Sequence, residues 1–495
     1  MNQAAAAATA PAEFLGHPRG LATLFLTEMW ERFSYYGMRA LLILFMVDRA
    51  RGGLGYSDET AAAIYGLYTA AAYLAALPGG WIADRLWGAQ RSILVGGVLI
   101  MCGHFMLAFP LVGTFFLGLI LVVLGTGLLK PNVSAVVGAL YPEGDSRRDS
   151  GFTLYYIGIN VGATLGQTIC GWLALTNWHY GFAAAGVGML IGLIQFRLTR
   201  GTLAGAGRAP ASPPTAKLRA VAWSIVAAVI LVALALLVGA VAGSVRLDAV
   251  RLAQGSAWAL FVAAILYFGI VFVTGRLTPV ERKRVIVLLV LCLCSVLFWA
   301  GFEQAGSSFN LFADRYTDRV VLGFEVPTRW LQNRNPIFIL ILAPFFSALW
   351  IALARRHLEP SAPAKFALGL ILLGIGTAVM IGAAALVAAG QQVLPTWLVF
   401  TYLFHTMGEL SLSPVGLSTT TKLAPKRFVG QLMGMWFLCT ALGLVLAGLF
   451  AGRFRGDALG EWPGLYTQLA LASLGLGVLL LVFVKPLKRL MGNAA

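Results

Sequence analysis

Apolar segments of membrane-spanning length dominate this 495-residue chain. They run about 21–48, 60–83, 92–111, 113–138, 152–176 and 180–198, then about 219–243 and 256–275, and finally about 284–312, 336–354, 366–389, 396–421, 431–451 and 464–485. A run of ~20 apolar residues crosses the hydrocarbon core as a helix. Inside that core a backbone satisfies its polar groups only within helices or closed barrels. The expectation is an all-α polytopic membrane protein with about fourteen transmembrane helices. Charged residues make up 11% of the chain, against ~25% in a soluble domain. A net charge of +16 would suggest nucleic acid in a soluble protein. Here the basic residues lie between apolar segments, so the positive-inside bias is the simpler account and no nucleic-acid partner is expected.

Those basic residues orient the chain. Arg85 and Arg91, Arg147 and Arg148, Arg197 to Arg219, Arg276 to Arg284, Arg355 and Arg356, Lys422 to Arg427, and Lys485 to Arg489 all follow even-numbered segments. Both termini are therefore expected in the cytoplasm. Arg315, Arg319, Arg329 and Arg334 lie on the opposite side, accompanied by Asp314, Asp318 and Glu325. Residues 1–20 lack a basic start with a continuous apolar core, so they are read as a mobile cytoplasmic tail and not a signal peptide. The expected organisation is an N-terminal six-helix bundle over 21–198, a Gly- and Pro-rich basic cytoplasmic linker over 199–217, a two-helix insertion over 218–275, and a C-terminal six-helix bundle with its tail over 276–495. The insertion carries Arg219, Arg246, Asp248 and Arg251 only at its segment ends, so it is expected at the periphery, facing lipid.

A faint echo relates the two halves. Lys130-Pro131-Asn132-Val133-Ser134 stands opposite Ser413-Pro414-Val415-Gly416-Leu417-Ser418, and the next segment opens after Gly151 or Gly430. Repeated halves with kinked helices at matching places are a transporter feature. Enzyme chemistry lacks support. The five cysteines (Cys102, Cys170, Cys292, Cys294, Cys439) sit in apolar runs without zinc spacing or a disulfide framework. The five histidines form no ligand-spaced pair, and no phosphate loop occurs, so no metal or cofactor is expected.

The first apolar segment nonetheless carries Glu28, Glu31, Arg32 and Arg39, with Tyr35 and Tyr36 between them. Glu28, Glu31, Arg32, Tyr35 and Arg39 share roughly 100° of one helix face. Each such charge costs at least ~2.5 kcal/mol at the bilayer centre, so the stripe should face a polar interior. Lys130, Asn160, Glu303 and Glu409 add intramembrane polar groups from both halves, which implies a shared hydrated cavity. Tyr68, Tyr155, Tyr156, Trp299 and Trp436 are candidates for its walls.

Taken together, these motifs resemble the proton-dependent oligopeptide transporters of the major facilitator superfamily. Glu28-Met29-Trp30-Glu31-Arg32-Phe33 matches that family's E-x-x-E-R-F motif. Gly79 to Arg91 is similar to the superfamily's loop motif, and Phe152 to Ala163 to the fifth-helix signature. Trp299 to Gln304, Asn335-Pro336, Gly408-Glu409-Leu410 and the Trp436 segment extend the likeness to both halves. The resemblance implies a major facilitator fold with two extra central helices, as in bacterial members. It implies proton-coupled symport of di- and tripeptides by alternating access, with the proton as coupling ion, in a bacterial inner membrane. The chain is expected to act as a monomer in the lipid bilayer.

By the same resemblance, Arg39 and Lys130 attract the peptide carboxylate, while Glu303, Asn160 and Asn335 receive its amino group. Tyr35, Tyr36, Tyr68, Trp299, Trp436 and Thr440 line the pocket. Arg39 with Glu303, and Lys130 with Glu409, form cross-domain gate pairs. Glu28, Glu31 and Arg32, with Glu303, handle the proton. The nearest alternative is the same fold carrying nitrate or another small anion or zwitterion.

Overall fold

The computed structural model describes residues 13–142, 145, 147–210, 215–216, scattered positions from 219 to 239, 248–321, 323–455 and 458–492. Helices account for nearly all regular structure in it. They are α1 (Gly20–Val47), α2 (Asp58–Leu74), α3 (Ala76–Ile82), α4 (Ala89–Leu107), α5 (Val112–Ala139), α6 (Arg148–Thr176) and α7 (Trp178–Thr199). After the partly described stretch come α8 (Ala249–Thr274), α9 (Pro279–Phe302), α10 (Ser308–Arg315), α11 (Arg334–Arg355), α12 (Ala362–Ala388), α13 (Thr396–Leu423), α14 (Val429–Ala451), α15 (Trp462–Val482) and α16 (Val484–Met491).

Among the described residues, ten helical stretches are long and apolar enough to cross a membrane. Asp58–Trp87 and Pro279–Arg315 are two of them, each joining a longer helix to a short one. Three more long helices, α1, α6 and α13, have 28, 29 and 28 residues. They carry Glu28 to Arg39, Asn160 and Glu409, and those polar groups lower their hydropathy. The expected segment at 219–243 lies largely outside the described residues.

By contact, the chain divides into two units, one of residues 1–38 and 75–246, the other of 39–74 and 247–495. In the first, α4 packs along α5 and α7, and α6 along α7. Lipid gives helices no hydrophobic reason to associate, so close van der Waals contact must do it. Small residues permit that approach: a Cβ at Gly96 would meet the Gly125 carbonyl, and one at Gly103 the Gly118 carbonyl. Leu21, Ile93, Ile100, Leu129, Val133, Met189 and Phe196 fill the core.

In the second unit, α12 packs against α13 and α15, and α14 against α2 and α9. α9 begins with a capping box: Thr278 Oγ1 accepts from the Glu281 amide at 3.3 Å, and the Thr278 amide donates to Glu281 Oε2 at 2.9 Å. α8 touches α2 and α14. Trp258, Ile265, Leu266, Ile270 and Val273 project outward, so most of α8 presents apolar surface. Pro131, Pro344 and Pro414 all lie inside helices. The echo at Lys130-Pro131 and Ser413-Pro414 therefore falls within α5 and α13.

Two stretches are more ordered than expected. In the supposed tail, β1 (Glu13–Phe14) pairs antiparallel with β2 (His17–Pro18). His17 is buried, with Nδ1 3.0 Å from the Tyr141 hydroxyl and Nε2 3.4 Å from Ser150 Oγ. Arg147 Nη1 donates to the Gly16 carbonyl at 3.2 Å. Hydrogen bonds from the Arg147 side chain and backbone hold the Asp145 carboxyl below the usual range. In the expected linker, Arg200–Leu203 form a 3-10 turn and the chain folds back on α4. Neither arrangement depends on local pattern: long-range hydrogen bonds tie both down. A second short pair, β3 (Val320–Val321) with β4 (Phe324–Glu325), lies between α10 and α11.

Candidate functional site

The site is built mainly on α1, whose polar stripe divides at Met38 between the two contact units. In the first unit, Glu28, Glu31 and Arg32 are buried. Arg32 Nε lies 3.2 Å from Glu28 Oε1 and also donates to Glu31 Oε2. One buried guanidinium thus serves two buried carboxylates. Its far side meets the Tyr35 ring at 4.9 Å and the Tyr36 ring at 5.7 Å, a cation–π arrangement. The two rings meet edge to face, 5.3 Å apart. Lys130 on α5 and Tyr155 on α6 stand close enough to Glu28 to interact with it electrostatically. Asn160 is buried and donates to the Tyr156 carbonyl, one turn back on α6, at 2.9 Å. Glycine makes this packing possible: a Cβ at Gly162 or Gly166 of α6 would strike the Met29 or Phe33 carbonyl of α1.

In the second unit, Arg39 pairs with Glu303. The two side chains are 14% and 6% exposed, so the charges are nearly removed from water. Arg39 Nε also donates to the Tyr65 hydroxyl at 2.6 Å. Glu303 caps the end of α9 and opens the 3-10 turn Glu303–Gly306. That turn needs a glycine at 306, because a Cβ there would collide with the Tyr65 hydroxyl and ring. Gly306→Ala is expected to cost ~1–3 kcal/mol through overpacking. Tyr65→Phe in the same chain should recover part of it by removing the hydroxyl, as thermal unfolding in detergent would show.

Around this pair, Asn335 Nδ2 donates to Glu409 Oε2 at 2.9 Å and to Thr406 Oγ1 at 3.0 Å. Trp299, Trp436, Tyr68 and Thr440 are buried. Thr440 Oγ1 donates to the Trp436 carbonyl at 3.1 Å. The Trp436 ring lies against Gly416, and Phe366 meets it edge to face at 5.9 Å. The Trp299 indole N–H has no hydrogen-bond partner among the described residues. Lys130 belongs to the first unit and Glu409 to the second.

Tyr65, Thr406 and the pair Asp58–Arg315 escaped the sequence reading. Arg315 grips Asp58 with both terminal nitrogens, at 2.6 and 2.7 Å. Asp58 stands at the start of a helix and reads as an N-terminal acidic residue. Tyr65 and Thr406 lie one turn from Tyr68 and Glu409, so helical spacing from those two was the signal available. Among the described residues no group of three or more His, Cys, Asp or Glu is arranged to hold a metal ion.

The sequence model of the POT family matches residues 90–456. The chain belongs to the POT family. The peptide transporter YePEPT of Yersinia enterocolitica subsp. palearctica is 42% identical, over 97% of this chain and 96% of that one. A di-/tripeptide transporter of Lactococcus lactis subsp. lactis is 36% identical, over 97% and 98%. The crystal structure of a peptide transporter POT in complex with sulfate superposes with a TM-score of 0.91 at 40% identity, covering 98% of each chain. The POT-family chain is a multi-pass membrane transporter with a major facilitator fold, and not an enzyme.

Proposed function

We propose that this chain is a proton-coupled symporter of di- and tripeptides. The observation that carries the proposal is the nearly buried Arg39–Glu303 pair with its Tyr65 and aromatic surroundings. A short peptide is a zwitterion with fixed ends and a variable middle. A guanidinium and a carboxylate that neutralise each other can each exchange that partner for one end of the peptide, so the desolvation cost is met in both states. Arg39 and Lys130 take the carboxylate; Glu303, Asn160 and Asn335 take the amino group. Tyr35, Tyr36, Tyr68, Trp299, Trp436 and Thr440 supply apolar walls with polar tips. The names of the two relatives, peptide transporter and di-/tripeptide transporter, support this substrate class.

The proton is handled by Glu28, Glu31 and Arg32, with Glu303 linking it to substrate. Two buried carboxylates share the Arg32 guanidinium, and a proton on either one would release Arg32 to the other. The halves 21–198 and 276–495 rock about a central pocket, with 218–275 at the periphery, and the pairs Arg39–Glu303 and Lys130–Glu409 act as gates. The protein works as a monomer in a bacterial inner membrane, with cytoplasmic termini. No cofactor is involved.

Purified protein in proteoliposomes tests this directly. An imposed inward proton gradient should drive labelled dialanine above equilibrium. Di- and tripeptides should compete, and tetrapeptides should not. Downhill flux insensitive to pH would refute coupling, and competition by nitrate in place of peptides would favour the same fold with an inorganic anion as substrate.

A further inference from the structure

Away from this site, Arg91 in the first turn of α4, Arg197 in the last turn of α7, Arg200 in the turn after it and Arg208 on the returning loop line one cavity of about 490 Å³. Gln90 and Leu94 complete much of its wall, and among the described residues no carboxylate lines it. Among the described residues none of the four arginines forms an ion pair. Four cations so placed repel one another, and an anion would relieve that repulsion.

The cluster is built, not left to a loose linker. The Gln90 amide donates to the Gly207 carbonyl at 2.9 Å, and Gln90 Nε2 to the Ala206 carbonyl at 2.8 Å. The loop turns through Ala204, Gly205 and Gly207 at φ of 49°, 86° and 68°. Gly88 packs so closely on the Arg208 carbonyl that a Cβ would collide with it. These bonds hold the loop so that Arg208 lines the same cavity as Arg91.

An apolar stripe runs from that cavity. On α7, Ile191, Ile194 and Leu198 follow a helical face and project outward, Leu198 being 78% exposed. On α4, Val95 and Val98 lie on the Arg91 face and are exposed as well. α4 and α7 pack side by side. The same two helices thus carry an arginine-lined cavity and exposed apolar side chains.

We propose that this cavity binds the phosphodiester headgroup of an anionic phospholipid, with its acyl chains along α4 and α7. Guanidinium forks suit phosphate oxygens in both charge and geometry. Basic pockets between membrane helices on the cytoplasmic side are suited to such headgroups, and the positive-inside bias assigns this end of α4 and α7 to the cytoplasm. The site is separate from peptide recognition, so it stands or falls without the transport reading.

The test uses the full chain, purified in neutral detergent, with dioleoylphosphatidylglycerol, dioleoylphosphatidylcholine or inorganic phosphate as probe. Binding is read by native mass spectrometry and by thermal stabilisation. Phosphatidylglycerol should bind on the order of tenfold tighter than phosphatidylcholine. Arg197→Gln/Arg200→Gln/Arg208→Gln should erase that preference. Arg355→Gln/Arg356→Gln, in another basic cluster, should leave it intact. Should the triple variant fail to fold, Arg200→Gln alone should still weaken phosphatidylglycerol by roughly fivefold. The proposal falls if the arginine variants keep the wild-type preference, or if Arg355 and Arg356 matter equally, which would mean diffuse surface charge. It falls equally if inorganic phosphate displaces the lipid and stabilises the protein through the same arginines, which would make this a soluble-phosphate site.

Discussion

A Glu31→Gln chain in proteoliposomes is expected to exchange dialanine in counterflow yet fail to accumulate it under an imposed pH gradient. Glu28, Glu31 and Arg32 are buried together, and the single guanidinium contacts both carboxylates. Glutamine keeps the size of Glu31 and one acceptor but cannot gain or lose a proton. Arg32 would retain Glu28 at 3.2 Å, so the helix should survive the change. The loss is that of the driving force: each proton moved down one pH unit contributes ~1.4 kcal/mol, or about tenfold accumulation. The accumulation ratio should therefore fall from roughly tenfold per proton to one. Full uphill uptake by Glu31→Gln would remove Glu31 from the coupling machinery.

Glu303→Gln carries the second large effect. It leaves Arg39 with the Tyr65 hydroxyl at 2.6 Å but without its carboxylate. Breaking such a buried pair from one side costs ~3–5 kcal/mol, because the remaining charge stays desolvated. Part of that should appear as a lower melting temperature. The specific readout is discrimination at the peptide amino group. A hydrogen bond to a charged group contributes ~1.5–3 kcal/mol, so dialanine should bind roughly 10- to 100-fold more weakly. N-acetyl-dialanine should lose far less, and the ratio of the two should approach one. Equal binding of free and N-acetylated dialanine by the wild-type chain would count against Glu303 as the amino-group acceptor.

Much of this was legible beforehand because bilayer physics leaves few choices. Helices such as α5 and α12 follow from apolar length, and their ends lie close to those expected. α10 continues the span of α9 through a 3-10 turn that hydropathy does not register. The stripe on α1 stood out because a charge in lipid demands a partner. Its partners did not stand out. Glu303 is 264 residues from Arg39 in sequence, and only the resemblance to a family linked them. Tyr65 looked like any aromatic on an apolar helix until Arg39 Nε was seen to donate to it. The family resemblance gives Asn335 and Glu409 separate duties, and the fold joins them by a hydrogen bond. His17 and the loop at 204–208 carried no periodic signal at all, since both are held by contacts to distant helices.

The sequence alone determined that this chain crosses a membrane many times as helices, and which side chains are too polar to face lipid. Both follow from transfer energies, which depend on composition and spacing and need no knowledge of neighbours. Tertiary structure decided the pairings: Arg32 between two carboxylates, Arg39 on Glu303 and Tyr65, Asn335 on Glu409. It also drew four arginines from two helices, a 3-10 turn and a loop into one cavity. Those choices depend on how helices approach one another, set by glycine contacts and hydrogen bonds between residues far apart in the chain. A one-dimensional pattern shows that a buried charge needs a partner, and only the packed helices say which one it has.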